Sequence, residues 1–409
     1  MSVICLFTNE YPYGSAEPYL ETEIDYYKQF EKVIIFSLQL RKKNENVIRK
    51  VPNNCVVVPV RFANKARYIL NVFSVLLDGN FYREIKNLKD TKRLNCTTLM
   101  TLLIYLSRSH YEAKIVEKYL KNNKIENALF YSYRFEYQPY VALTIKRKQK
   151  ISGKFISRAH RYDLYENQSK CGYIPCRNEI LENIDYVFPC SEDGTNYLKM
   201  MYPQYEKKIK TKFLGTKDYG VEEWKEQKVF RIVSCSNIVK VKRLHLIIDA
   251  LKNISSEIEW VHFGDGILLE DIKKRAQELP KNIQVDFRGN VSNTEILNTY
   301  QNESFDLFIN VSSSEGIPVS IMEAMSFGIP CLATDAGGTG ELVENEKGGV
   351  LIPVSSTAEQ IKDEVVKIIK MDKKSYKTMR ERSRQQWMKK FSANVNYVQM
   401  KEILKELMR

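Results

Sequence analysis

The chain has 409 residues, 44% hydrophobic and 28% charged, with a formal net charge of +13. That length exceeds what one hydrophobic core usually serves, and the even composition excludes a fibrous, low-complexity or largely disordered protein, so two globular domains are expected. The excess charge is confined to the first half: residues 1 to 215 hold 35 Lys and Arg against 22 Asp and Glu, while residues 216 to 409 hold 28 of each.

The opening MSVICLFTNEYPYG enters an apolar strand pattern without a basic leader or a small-residue cleavage site, so no signal peptide and a cytoplasmic address are expected. Short runs rich in Val, Ile and Phe then alternate with amphipathic stretches, the pattern of parallel strands joined by crossover helices. Strands are expected near Val3 to Thr8, Val33 to Leu38, Cys55 to Val60, Ala128 to Ser132, Phe155 to Arg158 and Tyr186 to Ser191. Between the third and fourth of these, residues 51 to 150 carry 18 basic against 7 acidic side chains, interleaved with Phe62, Tyr68, Phe73, Phe81, Tyr82, Tyr105 and Tyr111. The apolar runs Tyr68 to Leu77 and Thr97 to Leu106 are far shorter than the roughly 18 to 20 residues that span a bilayer, so they read as buried or interfacial helices. A basic, aromatic face of this kind favours an anionic membrane surface over nucleic acid, since no compact arginine-rich reader accompanies it.

The polar stretch Gly215 to Lys228 separates this set of strands from a second one. The second set falls near Arg231 to Ser236, Trp260 to Phe263, Gln284 to Arg288, Leu307 to Val311, Pro330 to Thr334 and Val350 to Ile352. Two α/β domains follow, over 1–215 and 216–385, each a doubly wound parallel sheet. A last helix from about Tyr376 to Arg409 carries Trp387, Phe391, Tyr397 and Leu404, which need burial, and residues 386–409 packing back toward the first domain would supply it. The eight cysteines are scattered, which suits buried free thiols, and Cys171 with Cys176 are too few for a zinc site.

The most informative stretch is NVSSSEGIPVSIMEAMSFGIPCLATDAGGTGE, residues 310 to 341. A strand ends at Val311, a Ser-rich turn exposes Glu315, and Gly316 to Pro318 lead into a helix that contains Glu323. The first-turn N–H groups of that helix, at Gly316, Ile317, Val319 and Ser320, can hold phosphate oxygens, while a carboxylate on either side accepts hydrogen bonds from vicinal hydroxyls. A glutamate pair at this spacing is commonplace on a solvated helix face, so the surrounding residues decide its meaning.

These residues resemble the E-x7-E region of the family 4 retaining glycosyltransferases, and the likeness extends along most of the chain. The resemblance implies a GT-B fold, two Rossmann-like domains facing a central cleft, with acceptor bound by the first and a nucleotide diphosphate sugar by the second. It also implies that Glu315 takes the hexose and Glu323 the ribose. FRIVSCSNIVKVKRLHLIIDAL, residues 230 to 251, resembles the family's diphosphate-neutralising segment; Lys242 fits its lysine, while Asn237 stands where its arginine is expected, with Arg243 a candidate substitute. HFGDG and FRGNVSNTEI resemble strand ends lining the nucleobase pocket, which points to Gly264, Asn290 and Val291, although Gly264 also suits a plain turn. In the first domain, Gly14 falls in a segment that resembles a loop closing over the diphosphate, and His160 in one that resembles the strand end carrying the active-site histidine.

By that resemblance attack and departure occur on one face of the sugar, no metal or other cofactor is needed, and no Asp-x-Asp motif is found. Catalysis would fall to Glu315, His160 and Lys242. The acceptor would be lipid-linked or a saccharide in cell-surface polysaccharide assembly, at the inner face of the membrane. A nucleotide-sugar epimerase or phosphorylase, or a non-catalytic nucleotide-sugar-binding protein, would share the phosphate site.

Overall fold

The computed structural model describes residues 3–61, 68, 71–149, 151–169, 171–221, 224–345 and 347–409. Phe62 and part of the run from Tyr68 to Leu77 lie outside the described residues. The chain divides into two compact units, one running to Lys212 and taking back Tyr397–Arg409, the other spanning Phe213–Asn396.

The first unit is built on six parallel strands, β1 (Val3–Thr8), β2 (Lys32–Leu40), β3 (Cys55–Arg61), β4 (Leu129–Ser132), β5 (Phe155–Ala159) and β6 (Tyr186–Pro189), in the order β3-β2-β1-β4-β5-β6. Strand β1 is buried along its whole length, as a central strand covered on both faces must be. Its side chains alternate between two cores. Cys5 and Phe7 join Phe36 and Phe130 under the helices α1 (Gly79–Asp90), α2 (Cys96–Asn122) and α3 (Gln138–Gln149). Ile4 and Leu6 point the other way, toward Leu20, Ile24 and the Met400 and Leu404 side chains of the terminal helix Ala393–Leu407.

The second unit repeats the plan with β7 (Phe230–Cys235), β8 (Ile258–Phe263), β9 (Ile283–Gly289), β10 (Leu307–Asn310), β11 (Cys331–Thr334) and β12 (Gly349–Ile352), in the order β12-β11-β10-β7-β8-β9. Counted within each unit the two orders are identical, the doubly wound Rossmann arrangement in both. Ile232, Trp260 and Leu307 meet Leu244, Ile247 and Leu251 of α4 (Leu244–Leu251) in its core. Further along lie α5 (Asn293–Asn302) and α6 (Val319–Ser326).

Two expected helices are corrected. Thr97 to Leu106 falls within α2, whose Asn95 cap exchanges hydrogen bonds with Thr98; in Tyr68 to Leu77 the described residues are Tyr68, which is helical, and Asn71 to Leu77, which form a 3-10 turn at Asn71–Ser74 and further turns in place of a continued helix. The single terminal helix is two, Lys373–Lys390 and Ala393–Leu407. The break has a backbone cause: Thr216 accepts from the Ala393 N–H and donates to the Phe391 carbonyl, so these groups are withdrawn from helix bonding. Trp387 seals the join by donating to Thr216 Oγ1 at 2.7 Å. Among the described residues no helix is long and apolar enough to cross a membrane.

One buried ion pair holds the first unit. Glu23 and Arg158 are wholly inaccessible, with Arg158 Nη2 3.2 Å from Glu23 Oε2. Tyr131 and Tyr133 donate to the two carboxylate oxygens at 2.9 and 3.0 Å, Tyr27 adds a third hydroxyl, and Arg158 Nε donates to Tyr131 at 3.0 Å. Burial, together with the adjacent carboxylate, keeps these hydroxyls protonated as donors. Removing one partner would leave an uncompensated charge in the core. Arg158→Met is therefore expected to cost about 3–5 kcal/mol, read from the urea midpoint of the first unit. Lys154→Met, which breaks the half-exposed pair with Asp185, is expected to cost less than about 1 kcal/mol in the same measurement.

Candidate active site

Strand order in the second unit reverses between β7 and β10, which are paired neighbours, so the loops that follow them leave the sheet side by side. The two loops are tied directly. The Ser313 N–H donates to Val241 O at 2.8 Å, and Arg243, in the left-handed backbone region at φ 52°, donates from Nε to Val311 O and from Nη1 to Val354 O, both at 2.7 Å. This stitching carries Lys242 to Glu315, with Nζ and Oε1 2.6 Å apart. Asn310 Nδ2 donates to the same oxygen at 3.3 Å. A third segment braces the loop from behind: Gly337 has φ 56°, a Cβ there would collide with the Glu315 carbonyl, and the Gly338 N–H donates to Gly316 O at 2.7 Å.

Beyond Glu315 the chain turns through Gly316 and the buried Ile317 to Pro318, the cap of α6. No side chain caps this helix, so the amide dipoles of the Val319 and Ser320 turn are left to face an incoming group. Glu323 lies one turn further on, buried, and accepts from Asn293 Nδ2 at 2.8 Å. Burial pushes its carboxyl up to about 7, against the pull of the Asn293 hydrogen bond. At the end of β7 the Cys235 thiol is pushed up to about 12 by burial and is influenced by both Glu323 and Lys242, which places an acid and a base of the site around one strand end.

The other expected donor-side residues occupy the neighbouring strand ends. Asn237 is exposed in the loop after β7. Gly264, at φ 137°, and Gly266 lie so close to the Ser236 and Ile238 carbonyls that neither could carry a Cβ, and the Ile238 N–H donates to Asp265 O at 2.9 Å. Asn290 and the partly buried Val291 connect the end of β9 to α5. Arg243 spends its guanidinium on strand-end carbonyls, so the side-chain cation at Glu315 is Lys242.

In the first unit Gly14 also has a left-handed backbone, φ 60°, and its N–H is already given to Val47 O at 2.8 Å. His160 is buried, its Nε2 is 3.1 Å from the Tyr133 carbonyl, and its ring stacks on Tyr19 at 5.4 Å. Burial, reinforced by Arg134 and Arg158, holds its pKa well below the usual histidine range, so the ring is neutral. A carbonyl can only accept, so Nε2 carries the proton, and the other ring nitrogen accepts the Asp163 N–H in the capping box that opens the short helix Arg161–Leu164.

Two residues here escaped the sequence reading. Glu17, buried at φ 54°, accepts from the N–H groups of Asn9 at 3.0 Å and Tyr11 at 3.1 Å, and Arg134 Nε lies 3.5 Å away. An internal carboxylate thus occupies the amide cradle after β1. The signal was present: an acid immediately before a proline at a helix start, where a cap belongs.

Comparison with known proteins agrees with this geometry. A family model described as glycosyl transferases group 1 matches residues 218–386. The chain is 27% identical over 195 residues to the N-acetyl-alpha-D-glucosaminyl L-malate synthase of Bacillus anthracis, covering 47% of this chain and 49% of that protein. It is 38% identical over 89 residues to the O-antigen biosynthesis glycosyltransferase WbnH of Escherichia coli, covering 22% and 23%. It therefore spans about half the length, or less, of the curated relatives it matches. The structure of Anabaena Alr3699/HepE in complex with UDP and glucose is similar with a TM-score of 0.63 at 14% identity, over 98% of this chain and 99% of that one. The model of the group 1 glycosyl transferases thus matches most of the second unit, and the doubled sheet order is a fold this chain shares with the HepE structure.

Proposed function

We propose that the protein is a retaining glycosyltransferase of the family 4 type. It moves a hexose-type sugar from a UDP- or GDP-sugar to a lipid-linked or saccharide acceptor in cell-surface polysaccharide assembly, at the inner face of the membrane and without a metal. The observation that carries this reading is the Lys242–Glu315 pair, 2.6 Å apart at a strand-order reversal and beside an uncapped helix N-terminus. UDP-sugars are the first donors to test, because the HepE structure of like fold holds UDP.

In this mechanism the diphosphate lies against the first turn of α6 and Lys242, which meet its negative charge as the bond to the sugar breaks. The Lys242 ammonium has three donors, so one can stay on Glu315 while others turn to phosphate. Glu315 accepts from sugar hydroxyls and Glu323 from the ribose. The departing phosphate oxygen takes the acceptor's proton on the face where the new bond forms, so the protein supplies position and charge rather than a separate base.

Lys242→Ala and Glu315→Gln are each expected to lower kcat/KM about 10²–10³-fold in a UDP-release assay while thermal unfolding stays unchanged; near wild-type turnover in both would refute the site. Donor affinity should also depend on pH. Because the Glu323 carboxyl is raised to about 7, the ionised, better-accepting form grows as pH rises, so donor Kd should tighten from about pH 6 to about pH 8. Glu323→Gln should flatten that profile in titration calorimetry, and an unchanged slope would remove Glu323 from donor binding. The same shift has the opposite sign for folding: stability declines as pH climbs from the ordinary glutamate range through about 7.

A further inference from the structure

The segment from Asn71 to Asp78 is arranged inside out. Its polar groups face the protein. Asn71 Nδ2 donates to Ser107 O at 2.7 Å and Lys114 Nζ to Asn71 Oδ1 at 3.0 Å; Ser74 Oγ lies 3.0 Å from His110 Nδ1. Asp78 closes the set, 2.8 Å from His110 Nε2 and 2.6 Å from the Tyr140 hydroxyl. Of its apolar side chains Val75 is fully buried and Val72 half-buried, while the other three face outward: Phe73 is 75% exposed, Leu76 47% and Leu77 90%. Tyr82, 55% exposed, donates to Leu76 O at 2.9 Å and extends the same surface onto α1. On α2, the helix to which this segment is pinned, Met100 and Ile104 are 56% and 52% exposed one turn apart.

The exposed groups are therefore held outward by the inward hydrogen bonds of Asn71, Ser74 and Asp78. Clustered exposed apolar residues on a rigid support mark a contact surface. The charge around them identifies the partner. On α1 and the turn after it, Arg83, Lys86, Lys89 and Lys92 are exposed, whereas two of the three acids in this stretch turn inward, Asp78 to His110 and Glu84 to the Tyr173 hydroxyl. Apolar side chains flanked by lysines fit the boundary of an anionic bilayer, where the former enter the acyl region and the latter meet phosphate headgroups.

We propose that Phe73, Leu76 and Leu77, with Tyr82 beside them, are the membrane-inserting tip of this protein, and that the lysines of α1 supply its preference for anionic lipid. The inference rests on the membrane element of the proposed function and is independent of the chemistry at Lys242 and Glu315.

The test is co-sedimentation of the full chain with vesicles of phosphatidylcholine and phosphatidylglycerol, against phosphatidylcholine alone, with UDP-sugar binding measured in parallel. The wild type should pellet with the anionic vesicles and leave them at high salt. Phe73→Ser/Leu77→Ser should bind about tenfold or more weakly at every salt concentration, whereas Lys86→Gln/Lys89→Gln should lose chiefly the lipid preference. All variants should retain donor binding, which shows that they are folded. Equal vesicle binding by wild type and Phe73→Ser/Leu77→Ser would overturn the proposal. So would absence of wild-type binding, or a wild-type dimer that the serine variant dissolves, since the surface would then serve a second copy. Loss of transfer with vesicle binding intact would count against the proposed function alone.

Discussion

The reversal of strand order in the second sheet is the constraint on which the candidate site depends. Where β7 and β10 pair, the chain must wind away in opposite directions, and nothing but loop can occupy the space that opens at their ends. Two loops 70 residues apart in sequence are thereby made neighbours, and the Ser313–Val241 bond with the Arg243 clamp converts adjacency into a defined distance. Lys242 does not find Glu315 by side-chain flexibility; it is delivered by backbone.

Two of the molecule's charge pairs show what burial does to such a contact. Around Glu23 and Arg158 every neighbour is a satisfied partner, and the arrangement is closed to anything from outside. Around Lys242 and Glu315 the side chains remain partly accessible and the adjoining helix end lacks a cap, so hydrogen-bonding capacity is left over. Spare capacity beside fixed charge is what a ligand exploits, because the cost of orienting those groups has already been met in folding.

Much of this was legible from residues alone. Twelve strands were expected and the described residues form twelve, because parallel strands covered on both faces read as apolar runs with little ambiguity. Glu315, Glu323 and Lys242 are singled out by resemblance to the E-x7-E and diphosphate-neutralising segments, because the glutamate spacing alone is commonplace on a solvated helix. What escaped depends on contacts distant in sequence. No local pattern indicates that Arg243 is consumed by Val311 and Val354, that Glu23 meets Arg158, or that Thr216 splits the terminal helix. The run from Tyr68 to Leu77 differs in another way: its apolar residues suggested one helix, while the described part from Asn71 onward is a 3-10 turn and further turns held by Asn71, Ser74 and Asp78.

Gly337 has a bearing on how such a protein can diversify. Because its missing side chain is where the Glu315 carbonyl sits, any other amino acid at that position would displace the backbone that carries the Glu315 carboxylate, one helix and one strand earlier in the chain. Drift at 337 is thus policed by chemistry at 315, although the two never exchange a hydrogen bond through their side chains. Variation in what the proposed site accepts would then fall to positions free to change around this pair, leaving the pair's own scaffold as inheritance rather than as adaptation.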